Sequence, residues 1–443
     1  MSRFALPRRA ALLAPLALSG CGLWDNWFGE KKTPLPGERE SIFSFGSHGL
    51  VRDENPPKVV LPPPVRNAAW PQAGGNPVHY MGHLAAREQL AEAWTADIGS
   101  GGGYRRIIMA QPVVMNGTIF TMDSSARVSA FTLDAGKRLW RVDTVPDDVD
   151  STNVGGGLGA DGNTVYAVNG VSQLVALDTE TGKEKWRRDI GLPGRSAPTI
   201  ADGRVFVTNI EDRLLAFASE DGRPLWDHQA AEPVTALLGR PAPAYYRGLV
   251  VAGFGSGELA ALRADSGTVA WTDGLSAGRG RTSNADFISV RGAPVIHGGQ
   301  VFAISMGGLF VSTDVPSGRR IWEREVAGEN TPYAAGDWLF VLSANQEVAA
   351  VQASTGRVAW VTPLPRFEDP DKKKHTLTWY GPLLVQDRLI VTGTSEDALS
   401  ISPYTGEILG HIELSSAAAP LIPVVADGTL LIITNDGRLL AMR

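Results

Sequence analysis

A short block of apolar and polar positions recurs along the chain, and its clearest copy covers residues 174–186. An apolar run leads into a polar Asp-x-x-x-Gly turn, and a second run reaches a tryptophan four residues after the glycine. Such runs on either side of a glycine-containing turn are typical of β-hairpins. The spacing recurs at Gly136/Trp140, Gly182/Trp186, Gly222/Trp226, Gly267/Trp271, Gly318/Trp322 and Gly356/Trp360. A further copy, from Gly406 to Gly410, keeps the spacing and lacks the tryptophan.

A second pattern precedes each copy and predicts another hairpin. Pro or Gly opens a short apolar run, which ends in a turn dipeptide. The eight dipeptides are Asn116-Gly117, Asp161-Gly162, Asp202-Gly203, Arg247-Gly248, Gly298-Gly299, Gly336-Asp337, Gln386-Asp387 and Asp427-Gly428. Residues 67–443 therefore divide into eight units of about 47 residues, a period typical of repeat architectures.

The last unit is one strand short, because the chain ends on its third strand at residues 439–442. A tryptophan-bearing strand without a preceding third strand occurs near the other end, at Trp94. Pairing these two strands closes a ring and removes its open edges. The sequence therefore predicts an all-β fold, an eight-bladed β-propeller of four-stranded antiparallel blades. Seven tryptophans are expected to pack between blades: Trp94, Trp140, Trp186, Trp226, Trp271, Trp322 and Trp360.

The first twenty residues have the composition of an export signal. Arg3, Arg8 and Arg9 precede an apolar run at residues 10–18, which is too short to span a bilayer. Leu18-Ser19-Gly20-Cys21 resembles a bacterial lipobox, which predicts a signal peptide over 1–20 and a lipid on Cys21. Residues 21–66 are rich in Pro and charge and are interpreted as a flexible tether. An Asp directly after the lipidated cysteine would resemble an inner-membrane retention signal, and this chain has Gly22 there. Export to the outer membrane, with the protein facing the periplasm, is therefore favoured.

Charge and cysteine content narrow the classes of partner and site. The net charge is −6, and without the signal peptide 38 basic side chains face 47 acidic ones, a net charge of −9. This balance argues against nucleic acid as a partner. Cys21 is the single cysteine, so no intrachain disulfide and no cysteine-based metal site can form.

No group of residues predicts an active site. His79 and His83 stand four apart without the Glu of a zinc motif and are interpreted as a loop or surface pair. A long connection in blade seven contains Lys372, Lys373 and Lys374. It is interpreted either as a solvated loop or as a contact to an acidic partner or a lipid headgroup. We therefore expect no catalytic residue, no metal and no cofactor.

The block from Ala176 to Trp186 resembles the tryptophan-docking motif of pyrroloquinoline-quinone (PQQ) dehydrogenases. That resemblance implies a catalytic Asp, calcium ligands and a vicinal cysteine pair, and a single cysteine excludes the pair. The motif is therefore interpreted as structural, and the protein is not expected to be an enzyme. A lipid-anchored periplasmic propeller with PQQ-dependent dehydrogenase or carbohydrate-binding activity is the alternative.

The lipobox, the proline-rich tether and the eight repeats together resemble the BamB family of outer-membrane protein assembly lipoproteins. This resemblance implies a non-enzymatic scaffold of the β-barrel assembly machinery at the outer membrane. Its partners would be the POTRA domains of BamA, the other lipoproteins of the machinery and unfolded outer-membrane proteins. The scaffold would assist the delivery and insertion of those proteins.

In that family a Leu-x-Leu-Arg-Gly stretch and an Asp-Val-Asp stretch contribute to the partner surface. The resemblance places the first at residues 235–240, with Leu237, Leu238 and Arg240 as candidates. It places the second at residues 286–291, where Asp286 is the nearest acid. The arginine follows the glycine here, and the Asp pair is absent. Leu237 and Leu238 are expected either to form an exposed patch anchored by Arg240 or to tuck under the blade.

Overall fold

The computed structural model describes residues 50–103, 106–149, 155–232, 239–276 and 288–443, and its regular elements there are β-strands. No helix among these residues has the length and apolar character needed to cross a membrane. The strands are three to seven residues long. They are short because tight turns, most of which contain Gly, interrupt the chain at these intervals.

The strands form eight blades and one extra hairpin. Blade one holds β2 (Val113–Met115), β3 (Thr118–Met122), β4 (Arg127–Thr132) and β5 (Arg138–Asp143). Blade two holds β6 (Gly157–Asp161), β7 (Thr164–Val168), β8 (Gln173–Asp178) and β9 (Glu184–Asp189). Blade three holds β10 (Thr199–Ala201), β11 (Arg204–Thr208), β12 (Arg213–Ala218) and β13 (Pro224–Gln229). Blade four holds β14 (Ala244–Tyr246), β15 (Leu249–Gly253), β16 (Glu258–Arg263) and β17 (Val269–Gly274).

The second half of the ring repeats this plan. Blade five holds β18 (Val295–His297), β19 (Gln300–Ile304), β20 (Leu309–Asp314) and β21 (Arg320–Glu325). Blade six holds β22 (Tyr333–Ala335), β23 (Trp338–Leu342), β24 (Glu347–Gln352) and β25 (Val358–Pro363). The hairpin β26 (Phe367–Asp369) and β27 (Lys374–Thr376) follows. Blade seven holds β28 (Trp379–Val385), β29 (Arg388–Gly393), β30 (Asp397–Ile401) and β31 (Ile408–Glu413). Blade eight holds β32 (Val424–Ala426), β33 (Thr429–Ile433), β34 (Arg438–Met442) and β1 (Glu92–Asp97).

The ring closes in blade eight, as the sequence predicts. β1 pairs antiparallel with β34, with Trp94 opposite Ala441 and Thr95 opposite Leu440. Beyond that ladder, the amides of Ala91 and Arg443 each donate to the other residue's carbonyl oxygen at 2.9 Å. The eight-bladed propeller of four-stranded antiparallel blades is confirmed.

The recurring Asp-x-x-x-Gly turn is held by its own side chains. Asp178 Oδ1 accepts hydrogen bonds from the Thr181 hydroxyl at 2.7 Å and the Thr181 amide at 2.9 Å. These bonds hold the pKa of the Asp178 carboxyl below its usual range, because they stabilise the ionised form. Gly182 closes the turn with φ 70°, the left-handed region that glycine adopts at little cost.

Each tryptophan of the repeat lies against the turn glycine of the next repeat along the chain. A Cβ added at Gly182 would lie 2.7 Å from Cε3 of Trp140, so only glycine permits this approach. The seven contacts are Trp94/Gly136, Trp140/Gly182, Trp186/Gly222, Trp226/Gly267, Trp271/Gly318, Trp322/Gly356 and Trp360/Gly406. The indoles therefore join neighbouring blades.

Six of these indoles also donate a hydrogen bond across the junction. The acceptor is in each case the carbonyl oxygen three residues before the turn glycine, at 2.7–3.3 Å. The pairs are Trp140 with Thr179, Trp186 with Ser219, Trp226 with Ala264, Trp271 with Val315, Trp322 with Ala353 and Trp360 with Pro403. Burial of an indole contributes up to several kcal/mol, at ~25 cal/mol per Å² of apolar surface.

The polypeptide before the propeller is ordered earlier than the sequence suggests. The sequence predicts a tether that extends to residue 66, but Leu50 is buried against blades five and six, and Val59 is also buried. The Asp53 amide donates to the carbonyl oxygen of Val358 in β25 at 3.1 Å. Proline-rich sequence blocks strands and helices, yet it can lie extended along another surface. The packed body therefore begins by residue 50.

Residues 67–84 run inside the ring and contact the eight blades in their order around it; we call them the inner segment. Trp70 exchanges two backbone hydrogen bonds of 2.8 Å with Val114 of blade one. Further on, Pro77 accepts from the Tyr245 amide of blade four at 2.7 Å and Leu84 from the Gln386 amide at 2.6 Å. The other contacts are Asn67 with blade eight, Pro71 with blade two, Gln72 with blade three, Val78 with blade five and Tyr80 with blade six.

The inner segment binds the innermost strands near the turns that follow them. The loops that precede those strands, such as residues 239–243 before β14, therefore lie at the opposite end of the ring. The cavity between the two ends has the inner segment as its floor, with Trp70, Gly74 and His79 among the lining residues.

Candidate partner-binding face

The two loops that the family resemblance selects precede β14 and β18, the innermost strands of blades four and five. Leu237, Leu238 and Asp286 lie outside the described residues, whereas Arg240 and Arg291 are described. Both loops reach the same end of the ring, because each precedes the first strand of its blade. The structure therefore brings the bases of the two predicted loops together.

Arg240 is not the exposed anchor that the sequence suggests. Its guanidinium and the Asp212 carboxylate form an ion pair in which both side chains are 0% exposed. Arg240 Nη2 also donates to the Ile210 carbonyl at 3.2 Å, and Asp212 Oδ2 accepts from the Ser256 amide at 3.1 Å. The pair thus joins blades three and four below the loop. A charge buried in this way positions the loop and does not itself meet a partner.

Arg291 ties the second loop to the neighbouring blade. Its Nη1 forms an ion pair with Glu329, and each of these side chains is about one-third exposed. An atom added as Cβ at Gly239 would lie 3.8 Å from Arg291 Nη2, so the bases of the two loops adjoin. The Ala293 amide donates to Thr331 Oγ1 at 2.9 Å, which holds the loops before β18 and β22 together.

The described residues of these loops line a central cavity of about 210 Å³. Arg195, Arg240 and Arg291 all line it, each three residues before the proline that opens a first strand. Burial lowers the pKa of the Arg195 guanidinium, and the neighbouring charge of Arg240 lowers it further. Arg240 pairs with the Asp212 carboxylate and Arg291 with the Glu329 carboxylate.

His79 closes the cavity at its floor as a neutral imidazole. Burial lowers its pKa to about 4, against a smaller opposing effect of its hydrogen bond to Pro294. Nδ1 lies 2.7 Å from the Pro294 carbonyl oxygen, so in the neutral ring Nδ1 carries the proton. Nε2 is buried and has no hydrogen-bond partner among the described residues.

Two other expectations change with the structure. His83 and His79 lie in a loop, but both are buried, so a surface pair is wrong. His83 lies between the carbonyl oxygens of Pro62 and Gln386 and thereby fixes the inner segment. The lysine-rich connection of blade seven is the hairpin β26–β27, with Lys372, Lys373 and Lys374 exposed.

The described residues contain no group of three or more His, Cys, Asp or Glu placed to hold a metal ion. Cys21 lies outside them. Sequence reasoning missed Arg195, Arg291 and Glu329. The signal that could have found them is an ionisable residue three positions before the proline in successive repeats.

Comparison with known proteins places the chain among outer-membrane assembly proteins. A family model described as "Outer membrane protein assembly factor BamB" matches residues 124–362. The BamB protein of Shewanella oneidensis is 28% identical over 357 residues, covering 78% of this chain and 87% of that protein. The BamB protein of Escherichia coli K12 is 28% identical over 352 residues, covering 78% and 86%.

Solved structures share the fold. The crystal structure of BamB from Moraxella catarrhalis has a TM-score of 0.67 at 18% identity, covering 80% of this chain and all of that one. A quinohemoprotein alcohol dehydrogenase from Comamonas testosteroni has a TM-score of 0.64 at 14% identity, covering 85% and 81%. The propellers of an assembly factor and of a dehydrogenase are thus alike in fold. The family match, which is to the assembly factor, decides between the two families. The chain belongs to the BamB family of outer membrane protein assembly factors.

Proposed function

We propose that the protein is a non-enzymatic scaffold of the β-barrel assembly machinery, anchored by a lipid on Cys21 to the periplasmic face of the outer membrane. It binds the POTRA domains of BamA through the loops before β14 and β18, which we call the docking face. It works beside the other lipoproteins of the machinery and assists the delivery and insertion of unfolded outer-membrane proteins.

The observation that carries this proposal is the meeting of the two loop bases at one end of the ring. Gly239 and Arg291 adjoin, although they are 52 residues apart in sequence. Each described loop base is tied to an adjacent blade by an ion pair, Arg240 to Asp212 and Arg291 to Glu329. A base fixed in this way before binding lowers the entropy cost of docking. Leu238 and Leu237 lie one and two positions before Gly239 in the sequence and provide the apolar contact, with Asp286 on the second loop.

Arg240 contributes to the docking face by holding the first loop in place. Its ion pair with Asp212 fixes the end of the first loop to blade three. Removing Arg240 would leave a carboxylate buried without its partner, so its replacement by alanine tests folding as well as binding. The leucines are therefore the better residues to change.

The test is co-purification with BamA from cells that express Leu237→Asp together with Leu238→Asp. The proposal expects BamA recovery to fall at least about tenfold, because burial of two carboxylates at an apolar contact opposes binding. Leu139→Asp on β5 is the matched control, because Leu139 is 48% exposed on an outer strand and should leave recovery unchanged. Unchanged recovery with the double variant would contradict the docking face.

The anchor and the lack of enzymatic activity are tested separately. Cys21→Ser should abolish incorporation of radiolabelled palmitate and release the protein from the outer-membrane fraction. The competing function is a PQQ-dependent dehydrogenase on the same fold. Addition of PQQ and calcium should leave the absorption spectrum equal to the sum of the components, whereas a quinoprotein-type spectrum with alcohol oxidation would favour the enzyme.

A further inference from the structure

The junction between blades seven and eight differs from the seven junctions that contain a tryptophan. Gly410 lies opposite Ser400 in the β30–β31 ladder, as Trp140 lies opposite Ala130 in the β4–β5 ladder. A Cβ added at Gly410 would meet no atom within 4 Å. The position that holds an indole elsewhere in the ring is therefore open.

The reason lies in how the ring closes. Each indole packs on the turn between the third and fourth strands of the next blade, for example on Gly182. In blade eight these two strands are β34 and β1, the C-terminal and N-terminal strands, so no turn joins them. An intrachain tryptophan at position 410 would have no turn glycine to pack against.

A cavity of about 530 Å³ remains at this junction. Blade seven provides one wall, which includes Ser400, Gly410 and Ile412. Residues 88–90 provide the facing wall, and Leu90 there packs against the core. Arg388 Nη2 holds that wall by hydrogen bonds to the carbonyl oxygens of Arg87, at 3.2 Å, and Glu88. The cavity is thus an open cleft between two walls, and Leu90 and Ile412 form its apolar part.

The rim suits an extended polypeptide. β31 is the last strand of its sheet, and no strand of the described residues pairs with its outer edge. An extended polypeptide can add to such an edge. On it Leu409 is 56% exposed and Ile408 37% exposed, which adds apolar surface beside the opening. Glu88 and Asp387 also line the cavity. Asp387 Oδ1 accepts the Tyr404 hydroxyl, and the other carboxylate oxygens can accept the N–H of an indole or the hydroxyl of a tyrosine.

We propose that the cavity at Gly410 binds an aromatic side chain from an extended segment of another protein, whose backbone lies along β31. The incoming ring takes the position that a tryptophan of the chain occupies at the other junctions. This site lies on the outer rim of the ring and does not depend on the docking face or on BamA.

The test uses the full-length protein and a fluorescent peptide of alternating Thr and Gln with one central tryptophan. The same peptide with a central alanine is the ligand control. Fluorescence anisotropy should show the tryptophan peptide binding at least about tenfold more tightly than the alanine peptide. Gly410→Trp should weaken binding of the tryptophan peptide by a similar factor, because its own indole enters the cavity, whereas Gly410→Ala should retain binding within about threefold.

A second measurement does not require any variant to fold. Free N-acetyl-tryptophanamide should displace the tryptophan peptide from the wild-type protein, and N-acetyl-alaninamide should not. Equal binding of the two peptides, or lack of displacement by the indole compound, would overturn the proposal. It would also be overturned if the wild-type protein failed to bind the peptide and the double variant Trp24→Ala with Trp27→Ala bound it, because the chain's own N-terminal part would then be the occupant.

Discussion

Arg443 Nη2 donates a hydrogen bond of 2.7 Å to the carbonyl oxygen of Leu133. Leu133 stands three residues before Gly136, and the equivalent carbonyl at six other junctions accepts the N–H of a tryptophan. At this junction Trp94 packs on Gly136, but its Nε1 is buried and has no hydrogen-bond partner among the described residues. At this junction Arg443 therefore makes the hydrogen bond that an indole makes elsewhere, and Trp94 provides only the packing contact with the turn glycine.

Arg443→Ala should therefore loosen the closure of the ring. The guanidinium also donates to Asp134 O at 3.2 Å and Thr429 Oγ1 at 2.9 Å. Loss of these bonds should lower the free energy of unfolding by about 1–3 kcal/mol. Arg438→Ala, at the start of β34, is the control, because the Arg438 side chain is 54% exposed and its ion pair should contribute little. Equal denaturant midpoints for both variants would contradict the role of Arg443.

The contact between the indole and the turn glycine can be separated from the conformation of the glycine. Gly182 and Gly203 have φ of 70° and 69°, but only Gly182 has an indole within 4 Å of an added Cβ. Gly203→Ala should cost about 1 kcal/mol, the usual penalty of the left-handed region. Gly182→Ala should cost a further ~1–3 kcal/mol, because the added methyl displaces Trp140. The difference between the two variants in urea unfolding measures the contact, and a zero difference would contradict it.

The buried ion pair below the first loop should behave unlike a surface pair. Arg240→Met leaves Asp212 buried without its partner and should lower the free energy of unfolding by about 3–5 kcal/mol. Arg213→Met removes the partner of Asp227, where both side chains are nearly half exposed, and should cost at most about 1 kcal/mol.

A double variant provides the internal check on that pair. Arg240→Met combined with Asp212→Asn removes both charges and should recover part of the lost stability in the same unfolding measurement. Asn suits position 212 because the backbone there has φ 61°, which Asn tolerates. If the double variant is less stable than the two single changes predict by addition, the charge argument is wrong.

His79 should make stability depend on pH. Its pKa is 6.5 in the unfolded chain and about 4 in the fold, so between these values only the unfolded chain binds the proton. The contribution is therefore fully present above pH 6.5 and is lost as the pH falls towards 4, by about 3 kcal/mol in all. His79→Asn retains a donor near the Pro294 carbonyl and has no titrating ring. Parallel stability curves for the wild-type protein and this variant between pH 6.5 and 4 would contradict the assignment.

Periodicity made most of the fold predictable from the sequence. The Gly-x-x-x-Trp spacing and the turn dipeptides identify the blades, because strands and tight turns each require particular residue types at neighbouring positions. Trp94 could be assigned to blade eight by counting strands. The inner segment could not be found in this way, since residues such as Pro71 and Pro77 contribute carbonyl oxygens, and a carbonyl acceptor leaves no trace in residue type.

The site was less predictable than the fold, because its contacts join distant positions. Arg240 and Asp212 are 28 residues apart, and no local spacing relates them. A basic residue beside two leucines suggested an exposed anchor, whereas the fold supplies a buried carboxylate from the adjacent blade. The arginine position three residues before the proline was visible in the sequence, but its meaning depends on knowing that it faces the cavity.

Binding of BamA by the loops before β14 and β18 can be measured by site-specific photo-crosslinking in living cells. A photoreactive phenylalanine derivative is placed at Leu237, at Asp286 or, as a control, at the exposed Leu139 on β5. Adducts with BamA are expected from positions 237 and 286 and none from position 139. Adducts from position 139 alone, or none from the two loops while the protein still co-purifies with BamA, would contradict it.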